Sequence, residues 1–108
     1  MRLAHTIGIV TLVEPHPAVR GGVFRVIVPL AAADLAKTDA RQCLAEPLVA
    51  WDDLGAGDGQ LVAFSEGGEA AQPFNPDNKP IDAYIAALID HLDIASTPCI
   101  DGLTTGTT

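Results

Sequence analysis

The sequence predicts a mainly β protein, a small barrel or sandwich of short strands. Several short apolar stretches rich in β-branched residues follow one another at a spacing of roughly 10–15 residues. Glycine and proline clusters separate these stretches, and such clusters form the turns of small all-β domains. Because 48% of the residues are apolar, we expect a packed core rather than a disordered chain.

Length, charge and composition narrow the classes of function. A chain of 108 residues suffices for one domain with one core. A net charge of −8 and few aromatic residues argue against nucleic-acid and anionic-membrane partners, which attract Lys, Arg and stacking rings. The sequence shows neither an apolar run of about 20 residues, as a bilayer requires, nor a signal peptide. We therefore expect a cytoplasmic protein in which Cys43 and Cys99 are free thiols.

Two strands are predicted in the first third of the chain. Leu3–Val13 is rich in β-branched residues, and Gly8 within it indicates a bend or a close neighbour. The segment 14–17 contains two prolines that end this strand, because proline lacks the amide donor that a sheet needs. The second strand is Val23–Leu30, and Pro29 lies where it should end or at a sheet edge.

Two further strands are predicted in the middle of the chain. Ala31–Glu46 has no apolar stripe of helical period, so we interpret it as a loop with a helical turn. Strands are predicted at Pro47–Trp51 and at Gln60–Ser65. Glu66–Ala71 is a second turn region that can open one helical turn, and Gln72–Pro80, with its three prolines, predicts an ordered loop or linker.

The stretch Ile81–Ile94 supports two interpretations. Its apolar residues recur with the period of an amphipathic helix, at Ile81, Tyr84, Ile85, Leu88, Ile89 and Leu92. A compact apolar run of this length is also compatible with a buried strand. Taken by itself, the local pattern favours a helix. The small, polar segment Ser96–Thr108 is expected to be mobile.

A glycine-dense turn within Val49–Phe64 is the most distinctive local feature. It can form a hairpin corner, cradle a ligand, or let one subunit press against the next, because glycine permits φ > 0 and close backbone approach. A dinucleotide-binding loop is disfavoured, since Gln60 stands where its third glycine is needed and a strand follows instead of a helix. A phosphate-binding loop is disfavoured because no lysine is near.

Carboxylates cluster at the same turn, at Asp52, Asp53 and Asp58, with Glu66 beyond it. Their spacing does not match a calcium loop of the EF-hand type. Paired carboxylates can also act as catalytic acid and base. Aspartates that form or cap the turn are the commoner interpretation.

Histidine and serine positions do not indicate catalysis or metal binding. His5, His16 and His91 lie in separate elements without metal-ligand spacing. Neither Ser65 nor Ser96 lies in the Gly-x-Ser-x-Gly pattern of a nucleophile elbow. We therefore predict no catalytic residue, no metal and no cofactor.

The order of motifs resembles the pentameric vertex proteins of bacterial microcompartment shells, a family that includes carboxysome and ethanolamine-compartment vertex subunits. The matching segments are residues 7–10 (IGIV), 16–21 (HPAVRG), 50–59 (AWDDLGAGDG) and 80–83 (PIDA), running on to Ile89-Asp90. The resemblance implies a five-stranded, OB-like β-barrel domain over residues 1–94, with a flexible tail at 95–108. It also implies that Tyr84–Leu92 is a strand, against the local helical pattern.

The same resemblance implies a structural role. Five wedge-shaped copies would close into a homopentamer that caps a shell vertex in the cytoplasm and contacts hexameric shell proteins, without enzymatic activity. It implies a subunit interface at Gly55, Ala56, Gly57 and Asp58. Two other hypotheses remain from the residues themselves. One is an OB-like module for a small ligand or oligosaccharide, and the other is a small acid–base enzyme that uses Asp52, Asp53 or Asp58.

Overall fold

The fold was analysed in a computed structural model of the chain, which describes residues 1–31, 34, 45–76 and 79–93. Several sequence-based predictions concern residues outside these ranges. They are the tail at 95–108, the two cysteines Cys43 and Cys99, and most of the Ala31–Glu46 segment.

Five strands make up the described fold. They are β1 (Arg2–Val10), β2 (Phe24–Pro29), β3 (Leu48–Trp51), β4 (Leu61–Glu66) and β5 (Ala83–Leu88). A short 3-10 helix, Pro17–Val19, lies between β1 and β2, and a longer one, Gly67–Phe74, follows β4. None of the helices in these ranges has the length and apolar character needed to cross a membrane.

The strands close into a barrel in the order β1-β2-β3-β5-β4. Neighbours pair in antiparallel fashion except β3 and β5, which run parallel with Trp51 opposite Tyr84. The five-stranded barrel implied by the family resemblance is therefore confirmed. The parallel pair means that the chain must cross one end of the barrel between β3 and β4.

Small and branched apolar side chains fill the barrel. The buried cluster consists of Ala4, Ile27, Ala50, Ala56, Val62, Phe64, Ala83 and Ile85, with Leu48 packed against it. Seven of these eight buried residues come from the strands, and Ala56 comes from the loop between β3 and β4. Burial of a Phe or Ile side chain contributes roughly 1.5–3 kcal/mol, so this cluster accounts for much of the stability of the barrel.

Strand β1 bends in the middle. Its register against β2 shifts between Thr6 and Gly8, where Ile7 is the extra residue. The prediction of a bend at Gly8 is confirmed. Before the bend, Arg2–His5 pairs with β4 and residues 4–6 pair with β2; after it, residues 8–10 have register partners on β2. The strand ends at Val10, earlier than the predicted Val13.

The helix predicted from the local pattern of Ile81–Ile94 is wrong, because Ala83–Leu88 is strand β5. Ala83 and Ile85 face the core, whereas Tyr84 points outward and packs edge-on against Phe74, with ring centroids 5.3 Å apart. Tyr84 on the outer face is half-buried and apolar residues continue along both faces, so the polar–apolar alternation typical of a strand with one face in water is absent. The strand implied by the family resemblance is correct in type but ends at Leu88 rather than Leu92.

Helical structure after β4 is longer than predicted. The sequence allowed one helical turn in Glu66–Ala71 and a loop from Gln72, whereas the 3-10 helix runs from Gly67 to Phe74. Within this helix, Ala70 is fully buried. This helix brings the ring of Phe74 to the outer surface of β3 and β5, where it packs against Trp51 and Tyr84.

Candidate functional site

The glycine loop, residues 52–60, connects β3 to β4. These two strands are not neighbours, because β5 lies between them. The loop is therefore not the corner of a hairpin, which was one of its three predicted roles. It crosses an end of the barrel, and the side chain of Ala56 enters the core on the way.

The carboxylate of Asp52 organises the first half of the loop. Its Oδ1 accepts hydrogen bonds from the backbone N–H groups of Leu54 (2.9 Å) and Gly55 (3.1 Å), and its Oδ2 accepts one from Ala56 (2.8 Å). Consecutive amides of this kind form a concave site that binds anions. Here the chain's own carboxylate occupies that site, so these three donors are not free to bind a phosphate or another anionic ligand.

A buried ion pair ties the same carboxylate to the barrel. Arg25 on β2 donates from Nε to Oδ2 of Asp52 at 3.3 Å, and the two side chains are 17% and 0% exposed. Asp58 is more distant from this guanidinium, at 4.0 Å from Nη1, and its side chain is 74% exposed. The neighbouring Asp53 accepts a hydrogen bond from Nε1 of Trp51 at 2.7 Å. These contacts favour the structural interpretation of Asp52 and Asp53 over acid–base catalysis.

Thr6 on β1 holds the second half of the loop. Its hydroxyl donates to the carbonyl of Gly57 and accepts from the N–H of Gln60 at 2.9 Å. Its backbone bonds to both Gly59 and Gln60, at 2.8 and 2.9 Å. The loop is thus fixed from β2 through Asp52 and from β1 through Thr6, which makes its outer surface a rigid one. The roles of Arg25 and Thr6 could not be found from local sequence patterns, since both residues lie far from the loop along the chain.

The three glycines of the loop differ in whether the fold of one subunit requires a glycine at their position. Gly55 and Gly59 have φ values of 81° and 76°, in the left-handed region that favours glycine. Gly57 does not adopt a positive φ, and a Cβ placed on it would meet no atom of the subunit within 4 Å. The fold of one subunit therefore explains Gly55 and Gly59 but does not explain Gly57.

Three of the four predicted interface residues are exposed on the loop surface. Gly55, Gly57 and Asp58 face solvent, and Leu54 beside them is 46% exposed. Ala56 is 0% exposed because its side chain lies in the core. Ala56 can therefore meet another chain only through its backbone. The exposed part of the loop consists of the three glycines and the side chains of Asp53, Leu54 and Asp58, of which Leu54 is the large apolar one.

An aromatic cluster covers the outer surface of β2, β3 and β5. The rings of Phe24, Trp51, Phe74 and Tyr84 pack edge to face in series, at centroid distances of 5.4, 5.5 and 5.3 Å. The ammonium of Lys79 lies 4.8 Å from the Trp51 ring centroid. Trp51 is only 6% exposed, so its face is not available to stack on a sugar or a base. This geometry argues against the oligosaccharide-binding hypothesis.

The histidines are separated in space as well as in sequence. His16 caps the short 3-10 helix, because its Nδ1 accepts from the N–H of Ala18 at 3.0 Å. His5 is buried on β1, and His91 is exposed after β5. Within residues 1–31, 34, 45–76 and 79–93, no three His, Cys, Asp or Glu side chains are grouped so that they could hold a metal ion.

Comparison with known proteins identifies the family. Residues 1–90 match the family described as ethanolamine utilisation protein EutN/carboxysome. The chain belongs to this family. This EutN/carboxysome family member is 31% identical over 101 residues to the carboxysome shell vertex protein CcmL of Synechococcus elongatus, covering 94% of this chain and 95% of that one.

Solved structures agree with that assignment. CcmL of Gloeobacter violaceus superimposes with a TM-score of 0.73 at 28% identity, over 87% of this chain and 90% of that one. The pentameric shell protein MSM0273 from the RMM microcompartment gives 0.64 at 26% identity, over 82% of this chain and 100% of that one. The resemblance inferred from the motifs is confirmed, and the family consists of microcompartment shell proteins rather than enzymes.

Proposed function

We propose that five copies of this chain form a ring that occupies a vertex of a polyhedral microcompartment shell in the bacterial cytoplasm. A flat layer of hexagonal tiles cannot close on itself, and pentagons at the corners supply the curvature. In this role the chain acts through its shape, and its neighbours are copies of itself and hexameric shell proteins. Its similarity to a pentameric shell protein and to a shell vertex protein supports this proposal.

The observation that carries the proposal is the unexplained glycine at position 57. The subunit holds the loop rigid through Asp52 and Thr6 and leaves space beyond Gly57. A closed ring needs a contact in which one surface meets a different surface of the next copy. Gly55 and Gly57 carry no side chain on this surface, which lets a second backbone come close there, so we place Gly55, Gly57 and Asp58 in that contact.

The charge of the chain is compatible with this role. A net charge of −8 keeps free subunits and rings apart by repulsion and favours solubility before assembly. The cost of bringing like charges together in a ring falls with salt, because exposed charges are screened over about 8 Å at physiological ionic strength. Ring formation is therefore expected to be favoured by moderate salt.

Native mass spectrometry at micromolar concentration tests the ring directly. The expected species has five times the chain mass of 11.2 kDa. A stable monomer, or a ring with another number of copies, would overturn the proposal. The shell role is tested separately by mixing the protein with a hexameric shell protein. Closed particles that form only when this chain is present support the vertex role, and closed particles that form equally well without it contradict that role.

A further inference from the structure

The end of β1 and the residues after it form an apolar arm, defined as residues 7–13. Its sequence, IGIVTLV, has no charged residue. Ile7, Ile9, Leu12 and Val13 are 44%, 57%, 42% and 98% exposed. Exposing an aliphatic side chain that could be buried is unfavourable, because its apolar surface stays in contact with water. A run of such side chains along one arm indicates a surface that another chain covers.

The arm also has a free backbone edge. Strand β4 pairs with β1 from Arg2 to His5, and the backbone of Thr6 bonds to the glycine loop. Beyond the bend, residues 8–10 have register partners on β2 alone within the described parts of the chain. On this flank of the arm, the apolar side chains and the backbone hydrogen-bonding groups are therefore both available to contact another chain.

A groove lies beside the arm. Its volume is about 320 Å³, and its walls include Ile9, Leu12, Pro15, Val19 and Val23. All nine residues that line it are uncharged. A groove with these walls accepts an aliphatic side chain. Leu54 of the same subunit does not fill it, since that side chain remains 46% exposed.

We propose that the arm and its groove receive the glycine loop of the neighbouring copy, with Leu54 of that copy in the groove. This inference rests on the proposed ring and names the surface that the loop contacts. Leu54 is suited to the role because its backbone N–H is fixed by Asp52. Gly55 and Gly57 follow it without side chains, so the arm can approach the loop closely.

The position of the two surfaces fits a cyclic contact. The loop and the arm lie at the same end of the barrel, since Thr6, immediately before the arm, bonds to Gly57 and Gln60. In a ring, a wedge-shaped subunit has two faces that contact its two neighbours, and these faces converge toward the ring axis. Two surfaces that lie close together at that end of one subunit can therefore contact different neighbours. The fold of one subunit gives no reason for a glycine at position 57, and close packing of the arm against the loop supplies that reason.

Cysteine cross-linking between differently substituted chains tests the contact. In a background with Cys43→Ser and Cys99→Ser, one protein carries Leu54→Cys and another carries Leu12→Cys. Rings reassembled from both are oxidised and separated on a denaturing gel. Because a disulfide requires Cβ atoms within about 3.5–4.5 Å, a two-chain product is expected from the mixture and not from either protein alone. Glu69→Cys replaces Leu12→Cys in the control mixture, because position 69 lies in the 3-10 helix that follows Glu66, and Glu66 pairs with Arg2 at the end of β1 opposite the arm.

The outcomes separate this inference from the proposed ring. A five-copy ring whose mixed chains cross-link through positions 54 and 12 supports the inference. A five-copy ring without that product, or with equal product in the control mixture, overturns it and leaves the ring intact. A cross-link that appears only when a hexameric shell protein is added also overturns it. Absence of a five-copy ring before any substitution overturns both.

Discussion

Arg25 donates a hydrogen bond from Nε to Oδ2 of Asp52 at 3.3 Å, and the carboxylate side chain is fully shielded from solvent. The pair joins β2 to the loop that crosses the barrel end, and the same carboxylate accepts three backbone N–H groups. One buried side chain therefore satisfies one guanidinium and three amides.

Replacement of Asp52 by Ala should destabilise the barrel by about 3–5 kcal/mol, because it removes the close partner of the largely buried Arg25 guanidinium and leaves the buried N–H of Ala56 without an acceptor. Denaturant unfolding at a fixed protein concentration measures the change. Asp58→Ala is the matched control, since that side chain is 74% exposed and lies 4.0 Å from Arg25. The control should change stability by less than about 0.5 kcal/mol. Equal effects of the two substitutions would contradict the role assigned to Asp52.

Replacement of Gly57 by Val should disrupt the ring more than the barrel. The subunit leaves space at this position, and its φ is not positive. A β-branched side chain should therefore obstruct the contact between copies while the isolated fold tolerates it. Native mass gives the ring, and circular dichroism gives the fold.

Gly55→Val provides the comparison for Gly57→Val. Gly55 has φ of 81°, and a β-branched residue there is strained by about 1–3 kcal/mol. This variant should lower the unfolding free energy of the barrel itself. An unchanged ring mass for Gly57→Val would remove position 57 from the interface.

Replacement of Thr6 by Val should loosen the second half of the glycine loop. The substitution conserves shape but removes the hydroxyl that donates to Gly57 and accepts from Gln60. These two hydrogen bonds are part-buried, and the loss of each costs about 0.5–1.5 kcal/mol. Hydrogen exchange should accelerate at amides 57–60 more than in β2. Thr6→Ser retains the hydroxyl and should exchange nearly as slowly as the wild type; equally fast exchange in both variants would show that the hydroxyl does not anchor the loop.

Replacement of Gly22 by Ala should disturb the aromatic cluster. An added Cβ would lie 2.4 Å from a ring carbon of Trp51, which is held between Phe24 and Phe74. Overpacking of this kind costs about 1–3 kcal/mol. Because the chain has one tryptophan, its fluorescence reports the change directly.

Gly68→Ala is the control for Gly22→Ala. A Cβ at position 68 meets no atom within 4 Å, and its φ is not positive. This variant should match the wild type in both stability and fluorescence. If Gly22→Ala also matched the wild type, the close approach between Gly22 and Trp51 would be wrong.

Most of the strands could be predicted from the sequence, because apolar runs bounded by glycine and proline carry the signal locally. Strand β5 could not, since Tyr84 faces the aromatic cluster while Ile85 faces the core. Because apolar residues lie on both faces of β5, its sequence does not alternate between polar and apolar residues. The spacing of its apolar residues instead matched the period of a helix. The family resemblance supplied the correct element type because it draws on the whole chain rather than on a local window.

The glycine loop was recognised from the sequence, but its internal organisation was not. Alternating glycines suggested one shared backbone role, whereas Gly55 and Gly59 take positive φ and Gly57 does not. Whether Asp52 was a catalytic acid or a structural residue depended on Arg25, which β2 brings to it from a distant part of the chain. Local patterns identify which residues form a turn, and tertiary contacts decide what each of them does there.

The side chain of Ala56 packs inside the barrel together with Phe64 and Ile85. These side chains occupy the barrel interior, so in the proposed ring the barrel of one subunit would not serve as a passage. At the vertex that we propose, transit would then run along the seams between protomers or along the symmetry axis. Permeability at that corner would then be set by how the copies fit together, and not by the fold of one of them.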